Sequence, residues 1–164
     1  MTQAAKGAAP AAPVSVLVFL VDGERHAVPA DRVEEIARAV AVTALPGAPP
    51  VIAGVVDRRG TVVPVLDLRR RFDRAPRGAP LADQLVFVRA GTRHLALRVD
   101  EALELTTLPP GDLVGAQSVT SRAGTLAGVA RLPGGLVLVH DLAAFLEQAE
   151  AEALDRALAA REPR

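Results

Sequence analysis

The chain repeats itself, and the repeat limits what it can fold into. Leu17-Val18-Phe19 followed by Gly23, Arg25 and His26 returns at identical spacing as Leu85-Val86-Phe87 followed by Gly91, Arg93 and His94. Farther on, Gly54-Val55, Gly60, Val62-Val63, Val65 and Asp67-Leu68 return in the same order as Gly128-Val129, Gly134, Leu136-Val137, Val139 and Asp141-Leu142. A duplicated order of strands and turns means that each half builds the same kind of unit. With 164 residues, 50% of them hydrophobic, one domain can bury a core of its own.

Each half reads as strand, tight turn, strand, a variable middle, then strand, turn, strand and a short helix, so the expectation is two small β units. Asp22-Gly23 suits a primed hairpin turn, where positive φ is cheap for Gly and tolerable for Asp, and Gly91 and Gly134-Gly135 serve similarly. Near-continuous apolar stretches such as Leu136 to Val139 predict strands covered on both faces, as when two small barrels pack together. Asp67 and Asp141 each precede an apolar-periodic segment and can accept the unpaired N–H groups of a first helical turn. The first helix ends before Pro76 and Gly78; the second is expected to run from Leu142 to about Arg161. Its Leu142, Phe145, Leu146, Ala149, Ala153, Leu154, Ala157 and Leu158 make an apolar stripe that covers the protein's own core or, over its distal half, a partner.

Composition removes several function classes. There is no cysteine, hence no disulfide or thiolate chemistry, and a reducing compartment such as the cytoplasm is permitted. Nineteen basic residues balance nineteen acidic ones and neither Trp nor Tyr occurs, which argues against nucleic acid as a partner. The apolar run from Val14 to Val21 is far shorter than the roughly 20 residues of a bilayer span, so no membrane insertion is expected. Residues 1–13, rich in Ala and Pro, are expected to be a disordered tail, followed by a folded domain over 14–146 and a helical extension with tail over 147–164. Ser118 or Ser121 with His140 and Asp141 is the one conceivable triad, but no nucleophile-elbow sequence surrounds either serine. No HExxH, phosphate-binding loop or dinucleotide fingerprint is present. The reading is a non-enzyme with no catalytic residue, no metal and no cofactor.

From Val16 to Leu146 the chain resembles the CheW-like domains of bacterial chemotaxis coupling proteins. The resemblance is carried, in order, by the N-terminal strand, Ala48-Pro49-Pro50 before Val51-Ile52-Ala53-Gly54-Val55, the turn Asp57-Arg58-Arg59-Gly60, Val63-Pro64-Val65-Leu66-Asp67-Leu68-Arg69, and Leu97-Arg98-Val99-Asp100-Glu101-Ala102. It implies a mainly β fold of two SH3-like, five-stranded β-barrel subdomains, intertwined, with short helices and a C-terminal α-helix. It implies an adaptor in the cytoplasm, recruited to membrane-associated receptor arrays, that joins the cytoplasmic tip of methyl-accepting chemoreceptors to the regulatory domain of a CheA-type histidine kinase. A scaffold of another chemosensory pathway (pili, gliding or second messenger) and a small-ligand sensor are the alternatives. One departure stands out: Asp57-Arg58 replaces the Asn-Leu usual in the family's turn, which puts a charge where the family is often apolar.

The same resemblance implies a receptor groove made by Val33, Glu35, Ile36, Gly54, Arg59, Val99, Asp100 and Ala102, with Glu35 as the ionic partner of Arg59, and a kinase-facing set of Ile36, Val42, Val56 and Val63. Valines are ordinarily core, and an exposed Arg–Glu pair contributes only about 0–1 kcal/mol, so each assignment competes with a purely structural role. Gly54 has a counterpart in Gly128, which points to close strand packing rather than direct contact. Arg69-Arg70-Arg71 with Arg74 and Arg77 reads as a solvated helix face and loop, Arg69 being set apart by the family match.

Overall fold

The computed structural model describes residues 13–76, 78, 82–109, 111–115 and 126–161. Residues 1–12 of the expected tail, Arg77, Ser118 and Ser121 lie outside them. The first half of the sequence forms β1 (Val14–Val21), β2 (Glu24–Pro29), β3 (Val33–Arg38), β4 (Ile52–Arg58), β5 (Thr61–Asp67) and the short helix α1 (Leu68–Arg71). The second half forms β6 (Gln84–Ala90), β7 (Arg93–Val99), β8 (Glu101–Leu108), β9 (Leu113–Gly115), β10 (Leu126–Leu132) and β11 (Gly135–His140), and ends in α2 (Gln148–Arg161). The turn chemistry holds: Asp22 and Gly23 have φ of 52° and 78° between β1 and β2, both positive as a primed turn requires. Asp67 and Asp141 accept the backbone N–H of Arg69 and Ala143.

The strands make two sheets, ordered β8-β1-β2-β11-β10-β9 and β3-β6-β7-β5-β4. The architecture is mainly β, as expected, but a half of the sequence is not a unit of the structure. The hairpin β1-β2 lies in the sheet of β10-β11, joined by the parallel pairing of β2 with β11, while β6-β7 lies in the sheet of β4-β5, joined by β5 with β7. The two halves have exchanged their leading hairpins. The correspondence extends to the edge, because the position that β9 takes beside β10 is taken beside β4 by a single bridge, Thr43 to Val55.

This exchange explains the continuous apolar runs. Along β1, Val16 and Val18 enter a cluster inside the six-stranded sheet, while Leu17, Phe19 and Val21 enter the core shared with the other sheet. Along β6, Val86 and Val88 face the shared core and Leu85 and Phe87 the interior of the five-stranded sheet. Strands covered on both faces need apolar residues at successive positions.

The expected continuous C-terminal helix is interrupted. A 3-10 turn over Leu142–Ala144 stops, and α2 starts only at Gln148. Phe145 drops fully buried into the shared core, and its carbonyl accepts from Arg71. The Glu147 N–H is then taken by the Glu150 side chain three residues on, one half of a capping box. Beyond the break, Leu154 and Ala157 of α2 are buried in the same core, so the stripe covers the protein's own interior.

Candidate functional site

The β4-β5 turn is held rigidly. Arg59 and Gly60 take φ of 53° and 88°, and the Asp57 carboxylate accepts the Gly60 N–H at 2.8 Å. Positive φ at Arg59 is uncommon for a residue with a side chain, so the turn aims the Arg59 side chain away from the sheet, where it is 75% exposed. Opposite stands β3, at the other edge of the five-stranded sheet. A bulge between Val33 and Glu35 breaks its alternation, and both Glu34 and Glu35 reach the turn.

The residue that meets them is Arg58. Its Nε donates to Glu35 Oε1 at 2.9 Å and its Nη1 to Glu34 Oε1 at 3.0 Å, while its guanidinium carbon lies 4.8 Å from the centre of the Phe87 ring. Arg59 Nη1 approaches the same Glu35 oxygen at 3.4 Å, so the expected Arg59–Glu35 contact exists but is the weaker of two. His94 Nδ1 stands 3.1 Å from Glu34 Oε1. Although burial works against its charged form, hydrogen bonds from Arg58 and His94 hold the Glu34 carboxyl below its ordinary value. Arg58 therefore replaces an apolar turn residue without stranding a charge: its flat cation covers Phe87 and ties the two edges of the sheet together.

The other expected groove residues are spread over β3, the end of β7, the link that follows it and the start of β8. Val33 packs half-buried against the shared core, and Ile36 is 40% exposed on β3. Val99 is buried at the end of β7. Ala102, half-buried, opens β8 and donates its N–H to the Gln84 side chain at 2.6 Å. Asp100 lies in the link between the sheets, where its carboxylate accepts from Arg69 Nη2 at 2.9 Å and from the Asp22 N–H at 2.8 Å. Arg69 also contacts Asp22 at 3.4 Å, so Asp100 and Arg69 clasp the two sheets. Of the kinase-facing set, Val42 is half-buried, and Val56 and Val63 point into the interior of the five-stranded sheet, which leaves Ile36 as the exposed member.

The basic run departs from the solvated face expected of it. Arg69 and Arg71 are each 14% exposed, and Arg71 holds Glu150 of α2 at 2.7 Å. Arg74 pairs with Glu24, and Arg70 is the exposed member. Asp83 and Arg98 pair at 3.0 Å beside Arg69 and Asp100, so the polar cleft they line is neutralised from within. His140 bonds buried His26 at 2.8 Å, and Asp141 caps Ala143. Among the described residues, no group of three or more metal-binding side chains gathers.

Gly54 is explained by packing. A Cβ there would overlap the Thr43 carbonyl oxygen and come within 2.6 Å of Val42 Cγ1, and at Gly128 it would overlap the Val114 carbonyl. Gly54→Ala is expected to lower stability by about 2 kcal/mol, as overpacking does, read as a reduced urea midpoint with unchanged slope. A midpoint equal to that of the native chain would mean that the backbone at Thr43 yields and that the glycine serves something else.

Comparison with known proteins places this geometry. The CheW-like domain model matches residues 15–150. The chain is 29% identical to the chemotaxis protein CheW of Bacillus subtilis over 101 residues, 62% of this chain and 65% of that protein, so the match spans just under two thirds of that relative. It is 27% identical to the chemotaxis protein CheW of Klebsiella aerogenes over 85% of each chain, and 33% identical to the protein FrzA of Myxococcus xanthus over 58% of this chain and 60% of that one. The crystal structure of the scaffolding protein TtCheW from Thermoanaerobacter tengcongensis superposes with a TM-score of 0.78 at 24% identity, covering 85% of this chain and 96% of the other.

Proposed function

The chain belongs to the CheW-like domain family, and from that premise we propose that it is a non-enzymatic adaptor of the cytoplasm that couples the tips of methyl-accepting chemoreceptors to the regulatory domain of a CheA-type histidine kinase. The observation that carries this reading is the Arg59 guanidinium, 75% exposed on the turn after β4, together with 40%-exposed Ile36, which follows its ionic partner Glu35 on β3. A rigid fork next to an apolar contact is the chemistry of protein recognition, since the apolar area gives affinity and the charge gives orientation. The receptor meets the surface at Val33, Ile36 and Arg59 and, farther along, at Asp100 and Ala102, with Glu35 held by Arg58 and buried Val99 supporting them from within. The kinase meets the five-stranded sheet at Ile36, while Val42, Val56 and Val63 pack that sheet's interior. No helix among the described residues is long and apolar enough to cross a membrane.

Arg59→Glu tests the reading. Because the side chain is 75% exposed, the thermal midpoint is expected to stay within a degree or two. Binding to a receptor fragment is expected to fall about tenfold while binding to the kinase regulatory domain is retained, both measured by titration calorimetry. A folded variant that binds receptor as the native chain does would remove Arg59 from the interface.

A further inference from the structure

We propose that Arg58 sets the specificity of this surface: it occupies Glu35, and so leaves the Arg59 guanidinium to bind a carboxylate supplied by the partner. The inference rests on the coupling reading above. Glu35 Oε1 is shared between Arg58 Nε at 2.9 Å and Arg59 Nη1 at 3.4 Å, and only the shorter contact lies in the range of a strong charge-assisted bond. Arg58 is also fixed by Glu34 and by the Phe87 ring and is 21% exposed, against 75% for Arg59. Among the described residues, Arg59 has no other carboxylate in reach, so nearly all of its five N–H donors face solvent. A planar fork in that state matches a carboxylate in two-point contact.

The surroundings say what kind of molecule brings that carboxylate. Val62 is 42% exposed on β5 two residues past the turn, and Ile36, next in sequence to Glu35 on β3, is 40% exposed, which calls for a protein surface with apolar side chains. Glu35 stands next to Arg59, with Glu34 beside it on Arg58, and these acids disfavour a polyphosphate or nucleic acid strand, whereas one carboxylate aimed at the guanidinium is tolerated. The partner residue is therefore a single Asp or Glu within an otherwise apolar contact. An apolar residue at position 58 would hand Glu35 to Arg59, close that fork on an internal carboxylate, and select a partner without the acid.

The experiment compares the native chain with Arg58→Leu, Glu35→Gln and the double variant Arg58→Leu/Glu35→Gln. The first readout needs no partner: arginine Nε–H signals in NMR. In the native chain the Arg58 signal is expected to be protected from exchange and the Arg59 signal averaged; in Arg58→Leu the Arg59 signal becomes protected. An Arg59 signal that stays averaged overturns the inference. The second readout is affinity for the cytoplasmic hairpin of a chemoreceptor encoded in the same genome, used intact and with each acidic residue of its tip amidated in turn. Arg58→Leu is expected to bind about five- to tenfold more weakly, and the double variant to regain native affinity, because Arg59 is free again. A merely structural Arg58 would not be rescued by removing Glu35. One amidated receptor position should erase the difference between native chain and Arg58→Leu; no such position overturns the carboxylate assignment. If Arg58→Leu fails to fold, Glu35→Gln alone decides, since a loss of receptor binding in that variant would show that the partner reads Glu35. No binding by the native chain overturns the coupling reading and the carboxylate with it, while the NMR comparison still decides which arginine holds Glu35.

Discussion

A chain ending at Leu146 is expected to lose about 5 kcal/mol of stability, most of what a domain of this size holds in reserve. The removed segment carries α2, nearly all of it beyond the 15–150 stretch that the CheW-like model matches. Leu154 is completely buried and Ala157 nearly so, in the core that both sheets share. Uncovering a leucine forfeits about 2–3 kcal/mol, and the neighbours it shielded become wet as well. The second loss is electrostatic. Arg71, 14% exposed, donates at 2.7 Å and 3.1 Å to the two oxygens of Glu150, and those bonds, together with the Glu147 N–H, hold the Glu150 carboxyl below its ordinary value. Without Glu150 the guanidinium keeps the Phe145 carbonyl but has no counter-charge, and a partly buried cation left unpaired is costly. A fall in the thermal midpoint of about 10–20 °C by circular dichroism is the expected reading for a loss of this size. Leu154→Ala should reproduce about 3 kcal/mol of it, and Glu152→Ala on the outer face almost none. A truncated chain that melts within a few degrees of the native one would mean that α2 rests on the core without stabilising it.

The helix also shows where periodicity stops being informative. The apolar stripe passes through Phe145 without a break, so nothing in the spacing separates a helix that continues from one that halts to insert a ring. The structure marks the new start by the Glu147 N–H, which the Glu150 side chain accepts three residues on, but a Glu-x-x-Glu spacing is equally at home inside a helix and does not announce it. The strands and turns were legible because their signals are local: Asp22-Gly23 can form its turn wherever the hairpin lies, and Asp67 and Asp141 cap whatever follows them. The intertwining implied by the family resemblance has no such local signal, since the exchange of hairpins depends on short parallel pairings such as Leu138 with His26 and Val139 with Ala27, which leave no mark on either segment alone. What holds Arg58 is hidden for a related reason. Its partners lie on β3 and become reachable only through the bulge at Val33 and Glu35, so the turn sequence shows a charge where the family is often apolar without showing the two carboxylates and the ring that hold it.

The buried histidine pair gives the second large effect, this time through pH. His26 is 2% exposed, its ring stacked 4.4 Å from Phe72 and its Nδ1 bonded to His140 Nε2 at 2.8 Å. Its Nε2 faces Glu24 at 3.4 Å without hydrogen-bond geometry. The arrangement is best satisfied when Nε2 carries the proton of neutral His26, turned toward the Glu24 carboxylate, and Nδ1 accepts from His140. Burial is the main reason that the His26 pKa falls from 6.5 to about 4; Glu24 pulls it upward and Arg74 pushes it down. The folded value lies below the unfolded one, so folding excludes a proton that the unfolded chain binds. The stabilisation is complete above pH 6.5, declines as pH falls from there toward 4, and is gone below. A gap of this size corresponds to about 3 kcal/mol. Urea unfolding at pH 7.5, 6, 5 and 4 should show that decline, and the His26 ring should titrate near 4 in NMR. Glu34 and Glu150, both held below their ordinary values, lose their own contribution at more acid pH, so a curve that stays level from 6.5 to 4.5 and only then falls would assign acid sensitivity to the carboxylates. A level curve together with a ring that titrates near 6 would mean that water reaches His26 between the sheets, and that the stack of Phe19, His26 and Phe72 is open in solution.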